Sequence, residues 1–197
     1  MQSLYYFIVK PLNDRYDNTR TVAGTDLIIN SGIEDHRFIS KKAVVVSTPA
    51  AYTTKINIGD ELYIHHNIFR RWYDQKGKER NSSTHFKDDL YFVAPEQIYM
   101  YNLKTHLDYC FVKPLKNQSV LENRKEQPNI GIVKYSNKSL EALGITPGTL
   151  ITFTPNSEFE FIIEGERLYC MKSNDIALTH EYQGNEEENN PSWAKSS

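Results

Sequence analysis

The stretch FIVKPL at residues 7–12 returns as FVKPL at residues 111–115. Three further pieces follow each copy in the same order along the chain. The pairs are Ala43-Val44-Val45 with Gly131-Ile132-Val133, Gly59 with Gly148, and Leu90-Tyr91 with Leu168-Tyr169. The offset is largest at the first pair and smallest at the last, as expected if the second copy has shorter loops. The pattern therefore indicates a tandem duplication.

Composition and charge narrow the class of protein. A length of 197 residues is enough for one large or two small domains. The composition, 39% hydrophobic and 24% charged, is typical of a globular protein, and 13 Tyr and nine Phe favour strands. A net charge of −2 gives no basic field to attract nucleic acid or an anionic membrane. No apolar run has the roughly 18 residues of a membrane helix, and the amino terminus lacks a signal-peptide pattern. We expect a cytoplasmic protein with no nucleic-acid or membrane partner.

Alternating apolar stretches between Gly, Pro, Asn and Asp clusters predict an all-β protein made of small antiparallel barrels or sandwiches. These stretches lie at 5–12, 42–47, 61–66, 90–94 and 97–101, then at 108–115, 130–136, 149–154, 159–163 and 167–171. The one helix-like segment is 136–145, which Ser136 or Ser139 could cap and Gly144 could end. We place the domain boundary near 102–107 and expect the polar, acidic tail 181–197 to be disordered.

The order of motifs resembles the GroES-like co-chaperonins, the small lids of chaperonin cages. The pieces that carry the resemblance are KPLNDR (10–15), GTDLIIN (24–30), KAVVV (42–46), IGDELYI (58–64) and DLYFVAPEQIYMY (89–101). The resemblance implies two tandem GroES-like irregular β-barrels, the first at 1–102 and a reduced one at 103–180. It also implies self-association into a ring that caps a GroEL-type chaperonin and encloses an unfolded client. Such a lid needs no cofactor, because the chaperonin binds the ATP.

The resemblance further implies a chaperonin-docking loop at about residues 13–41. Its hydrophobic tripeptide would be Leu27-Ile28-Ile29, with Gly24 allowing the loop to turn. The alternative from the residues themselves is a short edge strand that covers the barrel. The second copy has only residues 116–129 at the equivalent position. The longer segment 65–88 of the first copy is reminiscent of phage-encoded co-chaperonins.

The segment 65–88 carries a basic and aromatic stretch and is predicted to form an extended hairpin. Phe69, Arg70, Arg71, Trp72 and Tyr73 could contact a client or line the cage. Stacking of single-stranded nucleic acid on such a stretch is a further reading, although the charge around it is balanced. The alternative is a solvated hairpin whose Phe69 and Trp72 cover the end of the barrel.

No sequence pattern indicates catalysis or a metal site, so we expect a protein that is not an enzyme. There is no P-loop, nucleophile elbow or dinucleotide-binding motif. His65 and His66 are adjacent, so on a strand they would point to opposite faces and could not readily share a metal. Cys110 and Cys170 are expected to be small buried apolar residues that touch if their strands pair. The carboxylates that alternate along 158–166 predict a solvated face.

Two classes of function therefore stay open. The first is the co-chaperonin, which needs an exposed tripeptide at 27–29. The second is a structural or head-assembly interaction protein that kept the GroES-like fold and no longer docks on a chaperonin. In that second class the tripeptide would be packed against the fold and the segment 65–88 would bind the partner.

Overall fold

The computed structural model describes residues 3–17, 19–22, 25–28, 32, 35–117, 126–181, 184 and 186–196. The chain divides into two compact units, Met1–Leu103 and Lys104–Ser197. Strands make up most of the regular structure, and the helical segments among the described residues are one short α-helix and four 3-10 segments. The prediction of an all-β protein is confirmed.

In the first unit the described residues form ten strands. They are β1 (Phe7–Pro11), β2 (Thr19–Val22), β3 (Thr25–Ile28), β4 (Lys42–Ser47), β5 (Glu61–Ile64), β6 (Arg71–Tyr73), β7 (Glu79–Asn81), β8 (His85–Lys87), β9 (Leu90–Val93) and β10 (Ile98–Tyr101), with 3-10 segments at His66–Ile68 and Pro95–Gln97. Neighbours in the main sheet follow the order β10-β5-β4-β1-β9-β8. The pairs β2–β3 and β6–β7 are separate two-stranded hairpins.

In the second unit the described residues form seven strands. They are β11 (Lys104–Thr105), β12 (Tyr109–Lys116), β13 (Glu126–Tyr135), β14 (Leu150–Phe153), β15 (Phe159–Ile163), β16 (Glu166–Lys172) and β17 (Ile176–His180), with helix α1 at Lys138–Glu141 and 3-10 segments at Ser173–Asp175 and Ser192–Ser196. Six of them form a sheet in the order β15-β16-β12-β13-β14-β17.

The central strands of both units are the most deeply buried. Phe7, Ile8 and Val9 of β1 are buried on both faces of the sheet, whereas β4 alternates between buried and half-buried positions as a strand with one core face does. Removing each large apolar side chain from water contributes about 1.5–3 kcal/mol to folding. Burial of this kind holds each unit around its own core.

The two units repeat each other in strand order and in register. β17, β14, β13, β12, β16 and β15 take the places of β10, β5, β4, β1, β9 and β8. The VKPL strands pair equivalently on both sides, and the matched pairs are Val9–Val45 with Val112–Val133, and Val9–Tyr91 with Val112–Tyr169. A register shift also interrupts both ladders at the same point, just before Val9 and just before Val112.

Gly59 and Gly148 occupy equivalent tight turns. Their φ angles are +91° and +95°, a region that glycine adopts without the steric cost of a side chain. The Gly59 amide donates to the Val45 carbonyl at 2.9 Å, and the Gly148 amide donates to the Val133 carbonyl at 2.8 Å. Both glycines therefore turn the chain back onto the same position of the neighbouring strand.

The predicted barrels require each main sheet to close on itself, which the all-β class does not. Among the described residues, no ladder joins the two ends of either main sheet. The closure that defines a barrel is thus not among the described strand pairings, and the barrel stays a prediction.

Helix α1 is shorter than the predicted helical segment, and Asn137 caps it rather than Ser136 or Ser139. The Asn137 side-chain oxygen accepts from the Leu140 amide at 3.0 Å, while its amide group donates to the Tyr109 carbonyl at 3.0 Å. The Ser136 hydroxyl is engaged elsewhere, donating to the Ile145 carbonyl at 2.7 Å. Asn137 can bond to a backbone amide and a backbone carbonyl at the same time, which satisfies both polar groups of its buried side chain.

The tail also differs from the sequence-based expectation of disorder. Residues 186–196 are described, Ala194 is completely buried, and Ser192–Ser196 forms a 3-10 segment. An antiparallel bridge joins Glu188 to Leu115 at the end of β12. The acidic and polar composition of the tail predicts disorder, but Glu187 and Glu188 form ion pairs with Lys116 and Lys113 of β12.

Candidate functional site

The predicted docking loop contains the β2–β3 hairpin. Its two short strands pair antiparallel, with Thr19 opposite Ile28 and Arg20 opposite Leu27. Among the described residues no ladder connects this hairpin to the main sheet of the first unit. Part of the predicted docking loop is therefore a regular two-stranded hairpin.

Two of the predicted docking residues are exposed on β3. Leu27 retains 50% and Ile28 71% of its maximal accessible surface. Consecutive strand residues point to opposite faces, so a hairpin without a covering layer cannot hide both. An edge strand covering the barrel would bury at least one of these side chains, whereas both keep half or more of their surface. Gly24 and Ile29 lie outside the described residues.

The base of the predicted docking loop is fixed to the core of the first unit. Tyr16 is buried and forms an antiparallel bridge with Ile39, and the Asp17 amide donates to the Phe38 carbonyl at 2.8 Å. The Tyr16 hydroxyl accepts from the Arg71 amide at 2.9 Å. The two ends of the predicted docking loop are thus ordered and held together.

Arg15 ties this base to the second hairpin. Its guanidinium donates to the Phe69 carbonyl at 2.5 Å, to the Arg70 carbonyl at 3.1 Å and to Asn81 Oδ1 at 2.7 Å. It also lies 5.2 Å from the centre of the Tyr91 ring. A single side chain therefore holds the start of the docking loop against both ends of the segment that carries β6 and β7.

The β6–β7 hairpin presents part of the predicted client-contact set. Trp72 and Tyr73 keep 41% and 53% of their surface, and Arg70 is exposed. The Trp72 indole N–H donates to the Asn81 carbonyl at 3.3 Å, which fixes the ring across the hairpin. An ordered aromatic pair beside an arginine is a composition that protein interfaces favour.

Phe69 and Arg71 differ from that prediction. Phe69 is completely buried and packs edge-on against Tyr91, with ring centres 4.9 Å apart, so a partner in solution does not reach it. Arg71 is half-buried, pairs with Glu79 at 3.1 Å and lies 4.6 Å above the Tyr16 ring. Both residues are held by contacts within the unit, whereas Arg70, Trp72 and Tyr73 are exposed, with Trp72 and Tyr73 on opposite faces of β6.

A histidine cluster was missed by the sequence reasoning. His65 follows the end of β5 and His66 begins a 3-10 segment, so their rings stack with centres 4.5 Å apart instead of pointing to opposite faces. The ring of His36 lies 5.6 Å from that of His66. Burial, followed by the positive neighbours His65 and Lys41, lowers the pKa of His66 to about 4. No group of described residues has the geometry of a metal site.

A second polar network lies in the second unit, partly on the segment that sequence reasoning assigned to a solvated face. Arg167 forms a short ion pair with Glu126 and donates to Glu160 at 2.6 Å. The Tyr169 hydroxyl donates to Glu126 at 2.6 Å and accepts from Arg167 at 2.8 Å. Burial, and then the bond to Glu126, raises the pKa of Tyr169. These groups satisfy one another across β13, β15 and β16, which indicates a stabilising role.

The two cysteines lie on paired strands in the core of the second unit. Both are free thiols, and Cys170 faces the residue next to Cys110 in the β12–β16 ladder. Burial raises the pKa of the Cys110 thiol to about 12 and that of Cys170 well above its usual value. Neither thiol forms a thiolate near neutral pH, so both act as small apolar residues.

Comparison of the chain with models of known protein families finds no match, and comparison with curated proteins finds none either. The described residues contain no helix that is long and apolar enough to cross a membrane.

Proposed function

We propose that this chain is a co-chaperonin of the GroES-like type, made of two tandem barrels, that caps a GroEL-type chaperonin. The observation that carries the proposal is the pair of exposed aliphatic side chains, Leu27 and Ile28, on a two-stranded hairpin that no described ladder joins to the main sheet. In the cytoplasm the lid would enclose an unfolded client while the chaperonin binds and hydrolyses ATP. The long 65–88 segment suits a lid of the phage type.

The energetics of such a hairpin suit reversible capping. Burying each aliphatic side chain in a chaperonin groove contributes about 1.5–3 kcal/mol, from which the cost of ordering the segment is subtracted. A single site is therefore weak. A ring carries several copies of the hairpin, and once one copy has bound, the others bind at a high effective concentration. The ring as a whole therefore binds tightly, while each single contact stays reversible.

The likeness of the two units supports an origin by duplication, with division of labour afterwards. They share strand order, register and the glycine turns at Gly59 and Gly148. Only the first copy has sequence length for a docking hairpin, since residues 116–129 are shorter than residues 13–41. The second unit would then serve ring assembly or the shape of the cavity.

The test is co-sedimentation with a GroEL-type chaperonin in the presence of ATP. Wild type is compared with Ile28→Asp and with Ile58→Asp, a matched control because Ile58 is 68% exposed and lies outside the hairpin. We expect wild type and Ile58→Asp to bind and Ile28→Asp to lose at least about tenfold in affinity per site. Equal binding by both variants would remove the hairpin from the docking role.

The second candidate is a structural or head-assembly interaction protein, favoured by the exposed aromatic side chains of the β6–β7 hairpin. Trp72 and Tyr73 are exposed but ordered, as interface aromatics are before a partner arrives. If no chaperonin binds wild type in any nucleotide state, and Trp72→Ala prevents pull-down of a partner that wild type retains, this function replaces the first.

A further inference from the structure

The acidic tail extends the sheet of the second unit by a short strand. The Lys116 amide donates to the Glu187 carbonyl at 2.8 Å, and the Asn189 amide donates to the Pro114 carbonyl at 2.8 Å. The antiparallel bridge between Leu115 and Glu188 lies between these two bonds. Residues 187–189 therefore pair with β12 as an added strand does.

The tail fills a position that β16 leaves free. The β12–β16 ladder begins at Tyr109–Lys172 and ends at the Val112–Tyr169 pair, although β12 continues to Lys116. Every second residue of a strand directs its backbone amide and carbonyl to the same neighbouring strand. Val112 pairs with Tyr169 of β16, so the backbone groups of Pro114 and Lys116 point to the same side of β12 as β16. Their carbonyl and amide need another strand there, and the tail supplies it.

Side chains on both sides of this position select an acidic segment. Lys113 Nζ lies 2.9 Å from both carboxylate oxygens of Glu188, and Lys116 Nζ lies 2.9 Å from Glu187. Asn189 then donates to Glu126 at 2.7 Å. In addition, the Arg167 amide donates to the side-chain oxygen of Asn190 at 3.2 Å. The order Glu-Glu-Asn-Asn is thus recognised residue by residue.

The contacts that hold the central part of the tail are individually weak. The side chains of Lys116, Glu187 and Glu188 keep about half or more of their surface, while Lys113 keeps 17%, and each ion pair contributes about 0–1 kcal/mol. Two backbone bonds join residues 187–189 to β12. Residues 187–189 stay in place chiefly because the chain on either side tethers them, at an effective concentration on the order of millimolar, and buried Ala194 anchors the side that follows. Local opening at low free-energy cost is expected for such a segment.

We propose that the end of β12, lined by Lys113 and Lys116, is a binding slot for extended acidic segments of other protein chains, with the tail as its built-in competitor. The partner chemistry is a strand with two consecutive carboxylates followed by amide side chains. The slot lies in the second unit and is independent of whether Leu27 and Ile28 dock on a chaperonin.

The test uses full-length chains and a labelled peptide with the sequence of residues 184–190. Two variants release the tail by different means. Glu187→Lys with Glu188→Lys places like charges opposite the two lysines, and Asn189→Pro removes the amide that bonds to Pro114. We expect both to bind the peptide about tenfold more tightly than wild type, because the tethered competitor is gone. Circular dichroism verifies that each variant is folded, and no chaperonin is present in the assay.

Two matched readouts locate the site. A peptide with Gln in place of Glu187 and Glu188 should bind several-fold more weakly, and raising salt should remove that difference. Hydrogen exchange of the Lys116 amide should become fast in the released variants and slow again when the acidic peptide is added. Equal binding of the Glu and Gln peptides, or peptide binding no tighter to either released variant than to wild type, would overturn the proposal.

Discussion

The two VKPL segments have identical residues and equivalent strand partners, yet they lie in different environments. Lys10 is exposed and Leu12 is half-buried, whereas the Lys113 side chain keeps only 17% of its surface and Leu115 is completely buried. Lys113 pairs with Glu188 of the tail, and Leu115 packs in a small buried cluster with Ile132 and Leu150. A repeated strand therefore specifies its place in the sheet, while segments outside the repeat decide how much of each side chain faces water.

The largest expected effect tests that difference at the leucines. Leu115→Ala should cost about 3 kcal/mol of unfolding free energy, because a completely buried side chain is replaced by a cavity. Leu12→Ala should cost about 1 kcal/mol, since that side chain is already partly in water. Denaturant unfolding followed by Trp193 and Trp72 fluorescence measures the two units separately. Equal losses would show that Leu115 is no more buried than Leu12 in solution.

The next effect concerns the strand beside each VKPL segment. A Cβ at Gly131 would lie 2.4 Å from Val112 Cγ1 and 2.6 Å from the Lys113 carbonyl oxygen, a backbone atom that cannot swing away. We expect Gly131→Ala to cost about 2 kcal/mol, as overpacking does. The counterpart Ala43→Gly should cost about 1 kcal/mol through lost packing and added chain entropy. A neutral Gly131→Ala by denaturant titration would mean that β12 and β13 lie further apart.

A pH effect should distinguish the units. His66 has a folded pKa of about 4, below its unfolded value, so the unfolded state takes up a proton first as pH falls. The stability is complete above about pH 6.5 and is lost progressively toward pH 4, by about 1–2 kcal/mol after allowance for solvent screening.

His66→Asn should flatten this part of the first unit's stability curve, measured by Trp72 fluorescence between pH 7 and pH 4. In the second unit burial also lowers the pKa of His106, but no positive neighbour adds to the shift. A curve for the first unit that is unchanged by the substitution would contradict the assignment to the histidine cluster.

The smallest effect tests the two lysines. Lys113→Ala should cost about 1 kcal/mol, because Lys113 pairs with Glu188 at 2.9 Å and with Glu166 at 3.6 Å in a mostly buried position. Lys10→Ala should change stability by less than about 0.5 kcal/mol, as exposed substitutions do. High salt should reduce the Lys113 effect and leave the Lys10 effect as it is. Equal effects of the two substitutions in low salt would argue against the tail contact.

The sequence was sufficient for the all-β class, since period-two apolar runs mark a strand wherever one face is buried. The sequence was insufficient where neighbouring residues could each have taken the same structural role. The run Ser136-Asn137-Lys138-Ser139 offers three capping residues, and only the carbonyl of Tyr109 and the hydroxyl of Ser173 favour Asn137. The stacking of His65 on His66 likewise depends on β5 ending at Ile64, a boundary that no local pattern marks.

The candidate sites divide in the same way. The docking role of Leu27 and Ile28 is implied by the resemblance to GroES-like lids, and it stays a prediction. Phe69 was grouped with Trp72 by composition, but its burial depends on Tyr91, a long-range contact. The slot at β12 was missed because its recognition elements, Lys113, Lys116 and residues 187–189, are far apart in the sequence.

The proline of the VKPL segment has a consequence for aggregation. An exposed strand edge invites pairing with another chain when it offers alternating donors and acceptors. Pro11 has no amide hydrogen to offer, and the exposed charge of Lys10 stands next to it, so the end of β1 is a poor template for a further strand. Pro114 has the same defect but lies under the tail. Pro11 thus disfavours pairing of β1 with strands of other chains. At the end of β12 the same position is already paired with residues 187–189.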